Sequence, residues 1–127
     1  MDETFYEFVQ KHIENNKFDL YSSHTKICLP IVYRIYQKMI IGIRFSGIKV
    51  DKDLIIDGHH RYLASSLAGT ELDRYDSVRT SSTYIVKWDH VEFDFDDWDT
   101  PAKILMLNEL DAKFNNLSVQ KLVSLLK

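Results

Sequence analysis

The chain carries one cysteine, two prolines and four glycines in 127 residues. A lone thiol, Cys28, excludes an intrachain disulfide and any cysteine-rich zinc site. It fits a reducing compartment and reads as a small buried hydrophobe. The shortage of proline and glycine excludes collagen-like and low-complexity chains. Long hydrophobic runs are missing too: the most apolar stretch, Met39 to Ile43, is far too short to span a bilayer. The N-terminal Met1-Asp2-Glu3 is acidic and leads into an amphipathic segment, unlike a secretion signal, so a cytoplasmic location is expected. Positive charge is not in excess, with 16 Lys and Arg against 19 Asp and Glu. The net charge of -3 excludes a broad basic coat for DNA or RNA and leaves room for a local basic site.

What is present belongs to an ordinary globular protein. At 127 residues the chain has the length of a single domain. A domain of that size buries about two-thirds of its unfolded surface and needs no metal or disulfide to fold. Phe5, Phe8, Val9, His12 and Ile13 recur at helical spacing over residues 3–15, with charges on the other face. Residues 16–29 have no period and read as loop with at most a short strand. Pro30 suits the first turn of a second helix, in which Ile31, Val32, Ile35, Met39 and Ile40 form the apolar stripe and Gly42 is the stop.

After Gly47 the period changes. Ile48 and Val50 alternate with polar residues, Asp51-Lys52-Asp53 is a turn, and Leu54-Ile55-Ile56 is a short buried strand. The polar run Asp57-Gly58-His59-His60-Arg61 follows and opens a helix that carries Leu63, Ala64, Leu67 and Ala68 and ends at Gly69. Residues 70–82 are polar and read as a flexible connection. Tyr84 to Trp88 and Val91 to Phe95 read as strands, with Asp89-His90 between them as either a tight hairpin turn or a bulge. Thr100 and Pro101 start a helix to about Phe114, and Ser118 starts a last short one. The expected fold is α+β: a small mixed sheet flanked by helices, one domain over 1–127 with helical N- and C-terminal extensions.

The chemistry concentrates at 57–61. The N-terminus of a helix attracts anions through unpaired N–H groups and the helix dipole. Gly58 permits a sharp bend and a close backbone approach. Arg61 supplies a permanent charge in a fork that matches phosphate. His59 and His60 titrate near neutral pH, and Asp57 can orient a histidine, bind a metal or cap the helix. Asp57, His59 and His60 are therefore the candidate catalytic residues, and Gly58, His60 and Arg61 the candidate phosphate ligands. Arg44, Lys49 and His24 lie within reach in sequence as secondary contributors. His12 reads as structural. The acidic run Asp89, Glu92, Asp94, Asp96, Asp97 and Asp99 lacks the central glycine of a calcium loop and reads as a solvated face with helix-capping acids.

The segment Ile48 to Ala64 with Gly69 resembles the central motif of the ParB/sulfiredoxin superfamily: strand, turn, strand ending in glycine, a polar triplet ending in arginine, and a helix ending in glycine. The resemblance covers residues 47–69. It implies a ParB/sulfiredoxin-like core that holds nucleotide or nucleic-acid phosphates at the triplet, with Mg²⁺ together with ATP or CTP as cofactors and Asp57 or His59 as general base or Mg²⁺ contact. Sulfiredoxins carry Cys-His-Arg, so His59 stands where the reactive cysteine would be and sulfinic-acid repair is not expected. Chromosome-partitioning members carry Glu-Arg-Arg, of which only Arg61 is kept. The Asp-Gly-His-His-Arg-Tyr form looks closest to free-serine-kinase-like members and to ParB-like domains of bacterial polymorphic toxins. Two functions follow as expectations. One is a phosphate-handling domain, whether nuclease, NTPase or phosphotransferase. The other is a non-enzymatic acidic interaction or immunity-type protein with a cognate protein partner.

Overall fold

The computed structural model describes residues 1–127. Five helices and two small sheets make an α+β fold. Helix α1 (Glu3–Asn15) begins where the Asp2 carboxylate accepts the N–H groups of Thr4 and Phe5. It buries Phe5, Val9 and Ile13, a single stripe at spacing four, and each such side chain contributes about 1.5–3 kcal/mol. Strand β1 (Lys26–Cys28) runs directly into α2 (Leu29–Ile40), with Pro30 in the first turn, where its missing N–H costs nothing.

The central unit is a hairpin followed by a helix. Strands β2 (Ile48–Asp51) and β3 (Leu54–Asp57) pair antiparallel. Gly58 then turns the chain with φ +101, and α3 (His59–Ala68) follows. That helix closes on Gly69 at φ +70, whose N–H meets the Ser65 and Ser66 carbonyls. Helix α2 packs along α3 and carries Val32 and Met39 into the same core as Leu63 and Ala64.

Two stretches differ from the sequence-based expectation. Residues 70–82 contain a strand, β4 (Arg74–Asp76), parallel to β2, which gives the sheet order β3-β2-β4. All three of its side chains are exposed, so no alternation marks it. The edge of β2 recruits it through backbone bonds alone: Ile48 N–H donates to the Asp73 carbonyl and Ser77 N–H to the Val50 carbonyl, both at 2.8 Å. Residues 84–88 are not a strand, since only Val86 forms a bridge, to Ser22. Asp89 and His90 belong to a 3-10 turn over Trp88–His90 and are neither hairpin nor bulge. The cause is Trp88, whose ring is buried and whose Nε1–H donates to the Leu20 carbonyl at 2.9 Å. The following strand, β5 (Glu92–Asp94), pairs in parallel with β1 as a second, two-stranded sheet.

Helix α4 (Pro101–Phe114) is capped by Thr100, and α5 (Val119–Leu125) by Ser118. They pack on each other and on Ile43 through a small satellite cluster that contains Ala112 and Leu122. No helix is long and apolar enough to cross a membrane.

Candidate functional site

Residues 59, 60 and 61 occupy the first turn of α3, so their side chains leave the helix about 100° apart and serve three different neighbours. His59 is 2% exposed. Its Nε2 accepts the Ser23 N–H at 3.0 Å, while the Ser23 hydroxyl donates to the Ile55 carbonyl at 2.7 Å. The ring stacks on exposed His24 with centroids 3.8 Å apart. His60 turns toward α2, where its Nε2 accepts the Cys28 N–H at 2.9 Å and its ring meets Trp98 edge-on.

Burial pushes His59 down to about 3, helped by the neighbouring charges of His24 and His60. Burial likewise lowers His60 to about 4, with His24 and Arg61 acting in the same direction and Asp99 opposing them. Both rings are neutral at pH 7, and each spends its one lone pair on a backbone N–H. A general base needs that lone pair, and in this arrangement both are engaged by backbone donors that hold neighbouring loops in place.

Asp57 is exposed at the end of β3, opposite Lys49 in the register, and its carboxylate makes no hydrogen bond. Gly58, not Asp57, is the N-cap of α3. A Cβ at Gly58 would sit 2.5 Å from the Ile48 side chain and 2.9 Å from Arg61 Nη2, so the glycine lets the strand, the helix and the guanidinium meet. The expected catalytic group of Asp57, His59 and His60 is thus split between the surface and two internal contacts.

Arg61 points a third way. Its Nη2 donates to the Gly47 carbonyl at 3.0 Å, its Nε–H is buried without a partner, and no carboxylate pairs with it. The side chain lines a groove of about 420 Å³ between α2 and α4, which Arg44 and Ser46 also line. Ile31, Ile35, Phe45, Leu107 and Phe114 supply apolar walls. Asn115 fixes Arg44 by accepting its N–H at 2.7 Å and donating to its carbonyl at 2.9 Å.

Two further cations line the groove but are neutralised. Arg34 pairs with Asp97 and Asp99, and Lys38 Nζ lies 2.7 Å from Asp111. The acidic run is therefore partly internal scaffolding: Asp97 and Asp99 tie the loop before α4 to α2, and Asp94 accepts the Trp98 indole N–H. The Arg34 guanidinium holds the Asp97 carboxyl below the usual range. What remains uncompensated on the groove is the pair Arg44 and Arg61.

The chain has no group of three His, Cys, Asp or Glu side chains arranged to hold a metal ion. The acids at the groove, Asp99 and Asp111, are engaged by cations, so these residues do not fit a protein-held Mg²⁺. His12 bridges α1 to α3 through a 2.7 Å bond between its Nε2 and the Ser66 hydroxyl, a structural contact. Cys28 is fully buried. The groove walls escaped sequence reasoning. Their signal was the sequence of α4, which has more apolar residues than a single buried face requires.

No family model, curated protein or solved structure matches the chain.

Proposed function

We propose that this chain is a phosphate-binding domain that takes a nucleotide in the groove between α2 and α4, with Arg61 and Arg44 on the phosphates. The observation that carries the reading is Arg61: a half-buried cation with no anionic partner in the chain. Partly burying a charge is costly unless it is paired, and a bound anion supplies the missing partner. Its planar fork suits phosphate oxygens, and Arg44 adds a second positive charge to the lining of the same groove. Aliphatic and aromatic walls suit a base and ribose, and a groove of about 420 Å³ lies in the range of small-ligand sites. ATP or CTP fits this description, and any Mg²⁺ would arrive on the phosphates. The net charge of -3 favours a free nucleotide over a nucleic acid strand. The likeness of residues 47–69 to the ParB/sulfiredoxin motif supports the same reading, with Arg61 the position kept in each comparison.

A second reading, an interaction or immunity-type protein that keeps the fold without the reaction, draws on His59 and His60. Their lone pairs are engaged by backbone donors, which supports a structural role for both rings. Thermal shift with ATP, CTP, ADP and GTP, with and without Mg²⁺, separates the two. At least one nucleotide stabilises the wild type in the first case. Arg44→Ala, an exposed change that leaves the fold intact, reduces the shift, and Arg61→Ala abolishes it. A wild type that no nucleotide stabilises overturns the proposal.

A further inference from the structure

Strand β4 is the last in the order β3-β2-β4, so one of its edges is bonded to β2 and the other is open. The parallel register decides which groups face each way. Ile48 N–H donates to the Asp73 carbonyl and Ser77 N–H to the Val50 carbonyl, and between them the N–H and carbonyl of Tyr75 complete the ladder to β2. The N–H and carbonyl groups of Arg74 and Asp76 therefore point away from β2, and none of the four is bonded within the chain. Folded chains commonly blunt such an edge with a proline, a lysine or a bulge. β4 has none of these, and Arg74, Tyr75 and Asp76 are all exposed.

This edge is complementary to its own reversal. An antiparallel copy turned about Tyr75 sets Arg74 opposite the partner's Asp76, and Asp76 opposite the partner's Arg74. Directly opposed residues share a face of the sheet, so each guanidinium meets a carboxylate. The same two residues carry the outward backbone groups, so each pair exchanges two N–H···O bonds and the two pairs make four. Arg74 holds Asp19 through its two terminal nitrogens, which leaves its Nε–H for a second carboxylate. In this register Leu72 falls opposite the partner's Val78, an apolar side chain 82% exposed in the single chain. Turning about Arg74 instead would oppose two guanidiniums, and turning about Asp76 two carboxylates. A slip of one residue would bring the groups of Tyr75, already bonded to β2, to the seam. Charge and backbone direction select one register.

We propose that the open edge of β4 is the two-fold interface of a homodimer. Two copies pair antiparallel with Tyr75 at the axis, and their sheets join into one of six strands, β3-β2-β4-β4-β2-β3. A seam of three residues on each side lies at the small end of specific interfaces, so the dimer is reversible and concentration-dependent. No residue of β4 lines the groove between α2 and α4.

Sedimentation velocity over a wide concentration range tests this on the full chain, without nucleotide. The wild type passes reversibly from monomer to dimer. Asp76→Pro removes an outward N–H and leaves the bonds to β2 in place, so it is folded by circular dichroism and monomeric. Asp76→Arg and Arg74→Asp each weaken self-association about tenfold, because symmetry doubles every like-charge contact. Mixed in equal amounts, these two variants associate with near wild-type affinity, since one strand then offers two cations and the other two anions. Tyr75→Cys gives a disulfide-linked dimer on oxidation: opposed residues at that kind of position lie about 4.5 Å apart between Cα atoms, within reach of a disulfide. Cys28 is fully buried and does not compete. A wild type that stays monomeric at all concentrations overturns the proposal. So does a dimer indifferent to Asp76→Pro, a mixture of the charge variants that fails to associate, or a Tyr75→Cys chain that does not cross-link. None of these outcomes bears on nucleotide stabilisation, which reads the groove between α2 and α4.

Discussion

His60 Nε2 accepts the backbone N–H of Cys28 at 2.9 Å, and that bond ties the first turn of α3 to the N-terminus of α2. Cys28 is fully buried, so the N–H has no water to turn to. Leaving a buried donor unpaired costs about 1–3 kcal/mol. His60→Ala is expected to lower stability by that amount in urea unfolding. His60→Gln, which can place an amide oxygen near the same point, loses less. Equal losses for the two would show that ring packing against Trp98, not the bond, carries the effect.

The same burial predicts a pH dependence. His59 and His60 titrate at about 3 and about 4 in the folded chain, against 6.5 for an ordinary histidine. Below pH 6.5 the unfolded chain takes up protons that the folded chain refuses, so stability falls as pH drops from 6.5 toward 4. The slope approaches about 1.4 kcal/mol per pH unit for each ring. His12, also lowered by burial, adds in the same direction. Carboxylates held low by arginines, such as Asp19 and Asp97, lose their contribution only near and below their ordinary value of 3.8. The melting temperature should therefore drop between pH 6.5 and 5, and His59→Gln should flatten that part of the curve.

The helices were legible in the sequence because each had a stripe and a stop: Phe5, Val9 and Ile13 for α1, and Gly69 for α3. β2 and β3 were legible from Ile48, Val50 and the run Leu54 to Ile56. β4 was not, because its pairing is all backbone and its side chains face solvent. The segment before Trp88 looked like a strand because the side chains there are apolar, yet Tyr84 and Ile85 are exposed and only the indole is buried. At the site, the sequence located an unusual polar turn but could not give the directions of three consecutive helical side chains. Their divergence depends on which loops pack against α3, and those loops come from residues 22–24, 28 and 47. The groove was marked only by the surplus of apolar residues in α4; that α4 lies across from α2 depends on long-range contacts such as Lys38–Asp111, which the local pattern does not give.

Gly58 and Gly69 bracket α3 at positive φ, but their surroundings differ. A methyl group at Gly69 meets nothing within 4 Å, so Gly69→Ala carries only the backbone penalty, about 1 kcal/mol. At Gly58 the same methyl lies 2.5 Å from Ile48, a buried residue that cannot move aside. Gly58→Ala should add a further 1–3 kcal/mol, roughly the cost of overpacking. If the two variants melt together, the contact with Ile48 is not as tight as the geometry requires.

The pair Lys38–Asp111 joins α2 to α4 across the groove, and its two ends are unequally buried. The Lys38 side chain is 6% exposed and the Asp111 side chain 20%. Asp111→Asn therefore strands a cation with little access to water, at a cost near the lower end of the range for broken buried pairs, about 3 kcal/mol. Lys38→Met strands the more accessible carboxylate and puts an apolar chain of similar length in the interior, so it costs less. Replacing both, as Lys38→Met/Asp111→Leu, removes the buried charge altogether and should recover most of the loss. Urea midpoints for the four proteins rank these costs. Were Lys38→Met the more damaging change, the ammonium would be contributing more than its pairing to the seam between α2 and α4.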